Sequence, residues 1–287
     1  MSPDLQEVKV LGLKIQRDPL LMEDNLHMIP RKIHYCWFSG EPFPPLIKNC
    51  LQSWKDHLGG YELVLWDVDK VTKYGFSCPY FEHAKNQRLW AFMTDYVRFK
   101  ALYEEGGIYL DMDVFVLRSF DDLFGYRSFW AKDINGLVEP VVIGAKKEDP
   151  LIGRIIDLFE CIEEGQMKDF QFIALPQYVK HIFSSINANT GVDETSRVEG
   201  HVFFSSEYFC SLPNELADKR DMRDFITDRS YAVHLWDGNW FDEFRFLWMG
   251  RTKSGWRKIW KKILRNPIQP IQFYKDVFYH VKRSIFN

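Results

Sequence analysis

The stretch from Asn86 to Leu117 constrains the fold most, because a helical pattern runs into two glycines and then into a strand pattern. Apolar side chains recur at the helical period through residues 89–99, and Gly106 and Gly107 follow. Glycine adopts positive φ without strain, so the pair predicts the end of the helix. Residues 108–116 are rich in β-branched and large apolar side chains and predict a strand. The segment is therefore one helix–strand unit.

Two charged residues of the predicted helix are candidate functional residues. Asp95 and Arg98 are three residues apart and share one helix face, with Thr94 beside them. Their other neighbours on that face are alanine and leucine, so we do not expect the pair on the most solvated side. A surface ion pair is the alternative, because most pairs at this spacing have no other role.

The predicted strand carries a second candidate group. The period of two places Tyr109, Asp111 and Asp113 on one face. Adjacent carboxylates repel each other, which is understandable if a cation lies between or beyond them. Carboxylate ligands suit Mg²⁺ or Mn²⁺ better than Zn²⁺. Acidic pairs on exposed strands are common without a metal, and that alternative stays open for a lone Asp-x-Asp.

The spacing of the two aspartates predicts how the backbone must behave. Alternate residues of an extended strand are about 7 Å apart, so both carboxylates cannot easily reach one ion. We expect the strand to end or bend here, with Asp113 on the metal and Asp111 acting through water or on a ribose hydroxyl. A metal with open positions can bridge a diphosphate, which indicates a nucleotide-activated substrate.

The joint pattern resembles a known family. The segments TDYVRFKALYEEGGIYLDMDV and IPRKIHYCWFSG are similar to the signature of the "DXD" sugar transferases of glycosyltransferase family 32. These are relatives of capsule-synthesis and mannan-synthesis transferases and of the glucosylating domain of large clostridial toxins. The resemblance covers residues 29–241. It implies a GT-A-type α/β fold, in which a mixed nucleotide-sugar-binding sheet is flanked by helices.

The resemblance also implies an activity, a hexosyltransferase that retains the anomeric configuration of a nucleotide-linked sugar, with a UDP-sugar favoured and Mn²⁺ or Mg²⁺ as cofactor. The donor-binding residues that it implies are Trp37, which stacks on the base, with Thr94, Asp95, Arg98, Tyr109, Asp111 and Trp236. The predicted catalytic residues are Asp111, Asp113 and Arg98. No pair of carboxylates marks itself as nucleophile and acid, so no nucleophile is assigned, and front-face attack assisted by the leaving phosphate is compatible with this.

Four predicted site residues follow the helix–strand unit in the chain. His234 stands in the late strand pattern SYAVHLW, and the resemblance implies that it is a third metal or diphosphate ligand; a structural histidine is the alternative. Trp236 and Trp240 fit a loop that folds over the donor and excludes water. Glu139 and Trp240 are the predicted acceptor contacts, with a plain loop carboxylate as the alternative for Glu139.

The remaining sequence predicts further elements of an α/β domain. Strand, helix and strand at residues 29–38, 45–57 and 61–66 indicate a βαβ unit with a parallel pair. Other predicted strands are 129–132, 138–145 and 230–236, other predicted helices are 150–161 and 176–186, and 187–200 reads as a polar surface loop. A second Asp-x-Asp, Asp67 and Asp69, is interpreted as a capping turn with Asp69 before a short helix at 71–74. His34 is expected to be a hydrogen-bonded core histidine, and the five cysteines buried free thiols.

The C-terminal stretch differs from the rest in charge. Residues 251–287 carry ten Lys or Arg and one acid, against 27 basic and 39 acidic residues elsewhere. Ser254 is the predicted cap of a basic amphipathic helix, and such helices with Trp and Phe are typical of membrane interfaces. Docking on the acidic body or on a second subunit is the alternative. The predicted domains are an N-terminal extension at 1–28, a transferase domain at 29–250 and a helical basic tail at 251–287.

Composition limits the classes of function. A net charge of −3 argues against a general nucleic-acid binder. Residues 1–28 lack the apolar core of a signal peptide, and no run approaches 18 apolar residues. We therefore expect a cytoplasmic protein, and the basic tail predicts peripheral attachment to the inner face of the membrane. The resemblance to capsule-synthesis and mannan-synthesis transferases implies a glycan or lipid-linked glycan acceptor in surface polysaccharide synthesis. A protein-modifying, toxin-like transferase, a nucleotide-sugar hydrolase and a catalytically silent sugar-nucleotide-binding module are the alternatives.

Overall fold

The centre of the molecule is a seven-stranded mixed sheet. The structure, a computed structural model, describes residues 28–217, 219–238, 247, 252–265 and 267–286. In chain order the strands are β1 (Lys32–Cys36), β2 (Glu62–Trp66), β3 (Gly107–Leu110), β4 (Val114–Val116), β5 (Ser128–Lys132), β6 (Val138–Ala145), β7 (Ser196–Val198), β8 (His201–Phe204) and β9 (Ala232–His234). The large sheet has the order β2-β1-β3-β6-β5-β8-β7, and β4 pairs with β9 in a second sheet. The strands β2, β1 and β3 run parallel, whereas β6 is antiparallel to both of its neighbours.

Helices cover both faces of this sheet. In chain order they are α1 (Pro45–His57), α2 (Val68–Tyr74), α3 (Pro79–Asn86), α4 (Trp90–Glu105), α5 (Pro150–Glu160), α6 (Leu175–Ser185), α7 (Ser206–Phe209), α8 (Thr252–Arg265) and α9 (Ile271–Phe286). Neighbouring strand residues such as Phe129 and Trp130 belong to separate apolar clusters, because successive side chains point to opposite faces. The predicted α/β fold is confirmed in its mixed sheet and flanking helices. The three predicted domain boundaries stay predictions, and residues 1–27 lie outside the described ranges.

The glycine pair after α4 allows a close approach of backbones. Gly106 has φ of 62°, and a Cβ there would lie 2.8 Å from the amide nitrogen of Lys147. Gly107 has φ of 113°, and its Cβ would lie 2.9 Å from the carbonyl oxygen of Lys32. Any larger residue would therefore separate the end of α4 from β1. The predicted helix stop is confirmed, although Gly106 combines its positive φ with an extended ψ of −175° rather than the left-handed helical value.

The strand predicted for residues 108–116 is wrong as one continuous element. β3 ends at Leu110, and β4 begins at Val114 in the other sheet. A turn closed by Val114 N donating to Asp111 O at 3.1 Å separates them. The predicted break at the Asp-x-Asp is therefore confirmed, and it takes the chain out of the large sheet at the motif itself.

Other differences have local causes. The predicted loop 187–200 contains β7, whose polar sequence suits a sheet edge that pairs on one side only. Asp67 rather than Asp69 caps α2, because its side chain accepts from Lys70 N at 2.8 Å. The helix α8 begins at Thr252, before the predicted cap Ser254. All five cysteines are free, but Cys161 is exposed, so the prediction of burial is wrong for that residue.

Candidate active site

The carboxyl ends of β1 and β3 define one edge of the sheet. The parallel register pairs His34 with Tyr109, so Trp37 and Asp111 both emerge just beyond the paired residues. Ligands of open α/β sheets bind at this kind of edge. Trp37 is half-buried, and its Nε1 donates to the carbonyl of Glu41 at 2.7 Å. The position agrees with the predicted base-stacking role, which stays a prediction.

The predicted pair on α4 faces this edge and is buried. Arg98 Nη2 lies 2.9 Å from Asp95 Oδ1 and 3.4 Å from Asp111 Oδ1. Arg98 Nη1 donates to the carbonyl of Pro140 at 2.5 Å. Only 6% of Asp95 and 5% of Arg98 is exposed, so the surface ion-pair alternative is wrong. The guanidinium therefore joins α4, the Asp-x-Asp turn and β6.

Burial and charge oppose each other within this group. Burial raises the pKa of Asp95 to about 7, although Arg98 pulls it down. For Arg98 itself, burial favours the neutral form, but Asp111, Tyr109 and Asp95 outweigh it and raise the pKa further. Arg98 therefore stays charged, and it can neutralise either acid.

Tyr109 lies behind Asp111. Its hydroxyl donates to Asp111 Oδ1 at 2.7 Å, and the Arg98 guanidinium carbon lies 4.7 Å from the ring centroid. Because 1% of Tyr109 is exposed, its contacts position Asp111 rather than line an open space. Direct contact with a nucleotide stays a prediction. The hydroxyl of Thr94, also predicted to bind the donor, donates to the carbonyl of Trp90 at 3.0 Å.

Asp111, Asp113 and His234 form the cation set, a group of three side chains that can hold a metal ion. Antiparallel pairing of β4 with β9 sets Val114 opposite His234, which brings a residue 121 positions away next to Asp113. One ligand atom from each of the three side chains lies within 4.8 Å of the others. His234 Nε2 is 3.3 Å from Asp113 Oδ1, and the Asp237 amide donates to Asp113 Oδ2 at 2.7 Å. The three predicted metal ligands therefore meet at one point.

The charges of the cation set favour a bound cation. Burial and the Asp113 carboxylate raise the pKa of Asp111 against the pull of Arg98. Burial also opposes ionisation of Asp113, but His234 and two backbone amides outweigh it and lower the pKa. For His234, burial is outweighed by Asp113, Asp111 and Glu139, which raise the pKa. The two neighbouring carboxylates therefore favour a positive charge at this point, which a divalent ion would supply.

The donor atoms also fit a metal. His234 Nε2 is the imidazole nitrogen that faces Asp113, and Nδ1 is buried without a hydrogen-bond partner within the described ranges. The side chains of Asp111 and Asp113 are 23% and 14% exposed, so an ion can reach them. The predicted ligand His234 would add an imidazole nitrogen to the carboxylate oxygens. Mn²⁺ and Mg²⁺ both accept carboxylate ligands, and the choice between them stays a prediction.

A cavity of about 130 Å³ adjoins this set. Its polar and aromatic lining includes Glu139, Trp236, Asp133, Asn135, Asn214 and Glu215. The ring of Trp236 lies 4.1 Å from that of His234, and its Nε1 donates to the carbonyl of Leu212 at 2.7 Å. Burial raises the pKa of Glu139 to about 8, with His234 opposing this effect. Trp240, predicted to contact the acceptor, lies outside the described residues.

Several cavity residues had no signal in the sequence. Asp133 and Asn135 stand in a turn pattern, which indicates a loop but not its position. Asn214 and Glu215 belong to a short 3-10 turn, and they reach the cavity only through the path of the chain after β8. Glu139 was predicted as an acceptor contact, and the structure places it beside the cation set. Its role stays a prediction.

Fold and site together define an α/β protein in which two carboxylates and a histidine, close enough to hold a metal ion, meet at the edge of the sheet. Residues 44–130 match the family model "Glycosyltransferase sugar-binding region containing DXD motif". The match confirms the resemblance to DXD glycosyltransferases, so the chain contains a DXD-type glycosyltransferase region.

Known proteins resemble parts of the chain. An uncharacterized glycosyltransferase of Acanthamoeba polyphaga mimivirus is 27% identical over 136 residues, 45% of this chain and 54% of that protein. Inositol phosphoceramide mannosyltransferase 3 of Schizosaccharomyces pombe is 28% identical over 134 residues, 45% of this chain and 36% of that protein. The chain thus spans about half or less of the length of these relatives. The solved structure of "PaToxG Glycosyltransferase" has a TM-score of 0.45 and 18% identity, covering 55% of this chain and 70% of that one.

Proposed function

We propose that the protein is a metal-dependent, retaining glycosyltransferase that uses a nucleotide sugar, with a UDP-sugar favoured. The observation that carries this proposal is the convergence of Asp111, Asp113 and His234 on one point, within and beside the DXD region. The intact Asp-x-x-Arg of α4 and the intact Tyr-x-Asp-x-Asp at the end of β3 argue against a catalytically silent binding module.

Each residue of the site has a distinct task in this proposal. Asp113, Asp111 and His234 hold Mn²⁺, which when bound supplies Lewis-acid stabilisation to the leaving diphosphate. Arg98 and Tyr109 keep Asp111 oriented through their contacts with Oδ1. Trp37 holds the base at the neighbouring strand end. Arg98 also compensates the negative charge of Asp95 and Asp111, so that repulsion between the carboxylates does not open the turn at Asp111.

The acceptor side of the proposal rests on the cavity beside His234. Carboxylates can accept hydrogen bonds from sugar hydroxyls, and side-chain amides can both donate and accept them. The Trp236 ring offers an apolar face for a sugar. We assign the glycan acceptor to this cavity, with Glu139 as a contact. No nucleophile is assigned, and front-face attack is the proposed route to retention.

The membrane surface is the proposed cellular location of the reaction. One relative is named as a mannosyltransferase of inositol phosphoceramide, a lipid, and the basic tail of this chain suits a lipid-linked acceptor. Within the described residues, no helix has the length and apolar character to cross a bilayer. We propose peripheral attachment on the cytoplasmic side through residues 251–287.

A donor screen tests the activity. UDP-, GDP- and other nucleotide sugars are incubated with the protein and Mn²⁺, Mg²⁺ or EDTA, and nucleotide release is measured with and without lipid-linked glycans. The proposal expects release with one donor that stops in EDTA, and NMR of the product should show the donor's anomeric configuration.

The other outcomes separate the alternatives. Turnover that persists in EDTA would contradict the metal role, and an inverted product would contradict retention. Free sugar formed equally fast with and without acceptors would identify a nucleotide-sugar hydrolase. Saturable binding of a nucleotide sugar without any turnover would identify a silent binding module.

A further inference from the structure

The segment Asp237–Gly238 connects the cation set to α8. The amide of Asp237 donates to Asp113 Oδ2 at 2.7 Å. The carbonyl of the next residue, Gly238, accepts from Lys258 Nζ on α8 at 2.9 Å. Arg257 Nη2 lies 3.9 Å from Asp237 Oδ1. Two successive residues therefore touch a metal ligand on one side and the basic tail on the other.

The tail is also where the molecule exposes its apolar side chains. Thirteen large apolar side chains are exposed in the described part of the chain, and eight of them lie between residues 260 and 281. Trp260 is 60% exposed and Leu264 is 82% exposed, whereas Ile259, Phe273 and His280 are buried. Arg257, Lys261 and Leu264 recur at helical spacing, so charge and apolar surface share one face of α8.

An anionic bilayer is the occupant that fits this face. The ten basic residues of the tail complement anionic headgroups, and the adjacent Trp260 and Leu264 can enter the acyl boundary. A second copy of the chain could offer its own exposed tail, but pairing two tails would bring two sets of ten basic residues together. Its other exposed apolar residues, Met28, Tyr74, Ile134, Ile173 and Val192, are scattered along the sequence.

The helix α8 is poorly stabilised by its own sequence. It has 14 residues, and no acidic residue stands in its first turn. An isolated helix of this length is marginal in water, and Lys253 in its first turn opposes the helix dipole. Insertion of its apolar face into a bilayer would favour the helical state. That state is the one in which Lys258 holds Gly238.

We propose that α8 couples membrane binding to the cation site, with Lys258 as the positioning residue. An anionic bilayer stabilises α8, Lys258 then holds Gly238, and the Asp237 amide stays on Asp113. The catalytic meaning of this coupling rests on the proposed function, but metal affinity reports it without any sugar transfer. A ligand can shift such an equilibrium only by its different affinity for the two states, which here comes from burial of the exposed face.

Mn²⁺ titration of the full chain tests the proposal. Dissociation constants are measured by calorimetry in the presence of neutral phosphatidylcholine vesicles or of vesicles with added phosphatidylglycerol. We expect the anionic vesicles to tighten Mn²⁺ binding about fivefold, at the low end of known couplings. Brominated lipids should quench Trp260 fluorescence in the anionic vesicles, and W260A should remove that part of the quenching.

A pair of lysine variants isolates the contact. K258M and K261M each remove one charge from α8. Within the described residues, Lys258 is the lysine of this pair whose Nζ donates to the Gly238 carbonyl. Both variants should float with anionic vesicles to a similar extent. K261M should keep the tightening of Mn²⁺ binding, and K258M should lose it.

Three results would overturn the proposal. Equal Mn²⁺ affinity in both vesicle types would remove the coupling while leaving the cation site and the proposed activity intact. Equal tightening in K258M and K261M would exclude Lys258 as the link. Absence of Mn²⁺ binding under every condition would remove the cation site, and with it both the coupling and the metal role in the proposed function.

Discussion

Two Asp-x-Asp sequences in this chain have the same spacing and different surroundings. Asp67-Val68-Asp69 follows β2, and Asp111-Met112-Asp113 follows β3. Both strands pair with β1 in parallel, so both motifs leave the sheet at the same edge. The first caps a helix, and the second is the candidate metal site. The tripeptide alone therefore does not determine its role.

The difference lies in what packs around each motif. β2 is the edge strand, and the carboxylate of Asp67 is satisfied by the local amide of Lys70, while Asp69 is exposed. β3 lies between β1 and β6, and its motif is approached by Arg98 from α4 and by His234 from β9. An interior strand end can collect partners from several distant segments, whereas an edge strand end meets fewer.

The largest effect is expected from a substitution that breaks the second motif and leaves the first intact. D113N removes one negative charge from the candidate metal site, and it should weaken Mn²⁺ binding and donor turnover by roughly 100-fold or more. D69N makes the same chemical change at an exposed position and should leave both within about twofold of wild type. Calorimetry and nucleotide release measure the two effects. Similar losses in the two variants, or none in D113N, would refute the distinction.

The second prediction concerns His34, which joins the strands that lead into the two motifs. Its Nδ1 accepts from Trp66 Nε1 at 3.0 Å, so its Nε2 donates to the Gly106 carbonyl at 2.7 Å. The predicted core histidine is confirmed. Burial lowers the pKa of His34 to about 4, although the Gly106 carbonyl pulls it up. The folded state therefore favours the neutral imidazole ring of His34.

The sign of the pH effect follows from that shift. Because the folded pKa lies below the unfolded value, the stabilisation is present above pH 6.5 and is lost as the pH falls toward 4. At pH 4.5 the loss should be about 2–3 kcal/mol of unfolding free energy. H34Q keeps one donor and one acceptor without titrating, so its stability should fall less over this range. Urea unfolding at pH 7.5 and 4.5 measures the change in unfolding free energy, and H57Q, which replaces an exposed histidine, is the control. Equal losses of unfolding free energy in wild type and H34Q would contradict the prediction.

The smallest effect is expected from a substitution in the first motif. D67A removes the cap of α2 and should lower the unfolding free energy by about 1 kcal/mol. Because Asp67 makes no contact with the cation set in the described structure, Mn²⁺ affinity should not change. Urea unfolding and calorimetry on the same preparation test both parts. A loss of Mn²⁺ affinity comparable to that of D113N would show that the two motifs act together.

Much of the fold was predictable because it depends on local pattern. The bounds of α1 and β6 agree with the predicted 45–57 and 138–145, since proline, apolar periodicity and glycine mark them along the chain. The burial of Asp95 and Arg98 followed from the small apolar neighbours on their helix face. By contrast, the edge strand β7 and the cap of α2 were misjudged, because a polar strand and two equally good capping residues leave little local signal.

The sequence by itself determined the alternation of helices and strands, the break after α4 and the chemical types available for a cation. Residues that are close in the chain report these features, because backbone preference and apolar period act over a few positions. The resemblance predicted that Asp111 and Asp113 are the aspartates near His234 and Arg98. Only the tertiary structure decided the contacts that bring these residues together, and that Glu139 lies next to them. Those neighbours come from β9, α4 and β6, and their approach depends on how the sheet is paired rather than on any pattern within the motif.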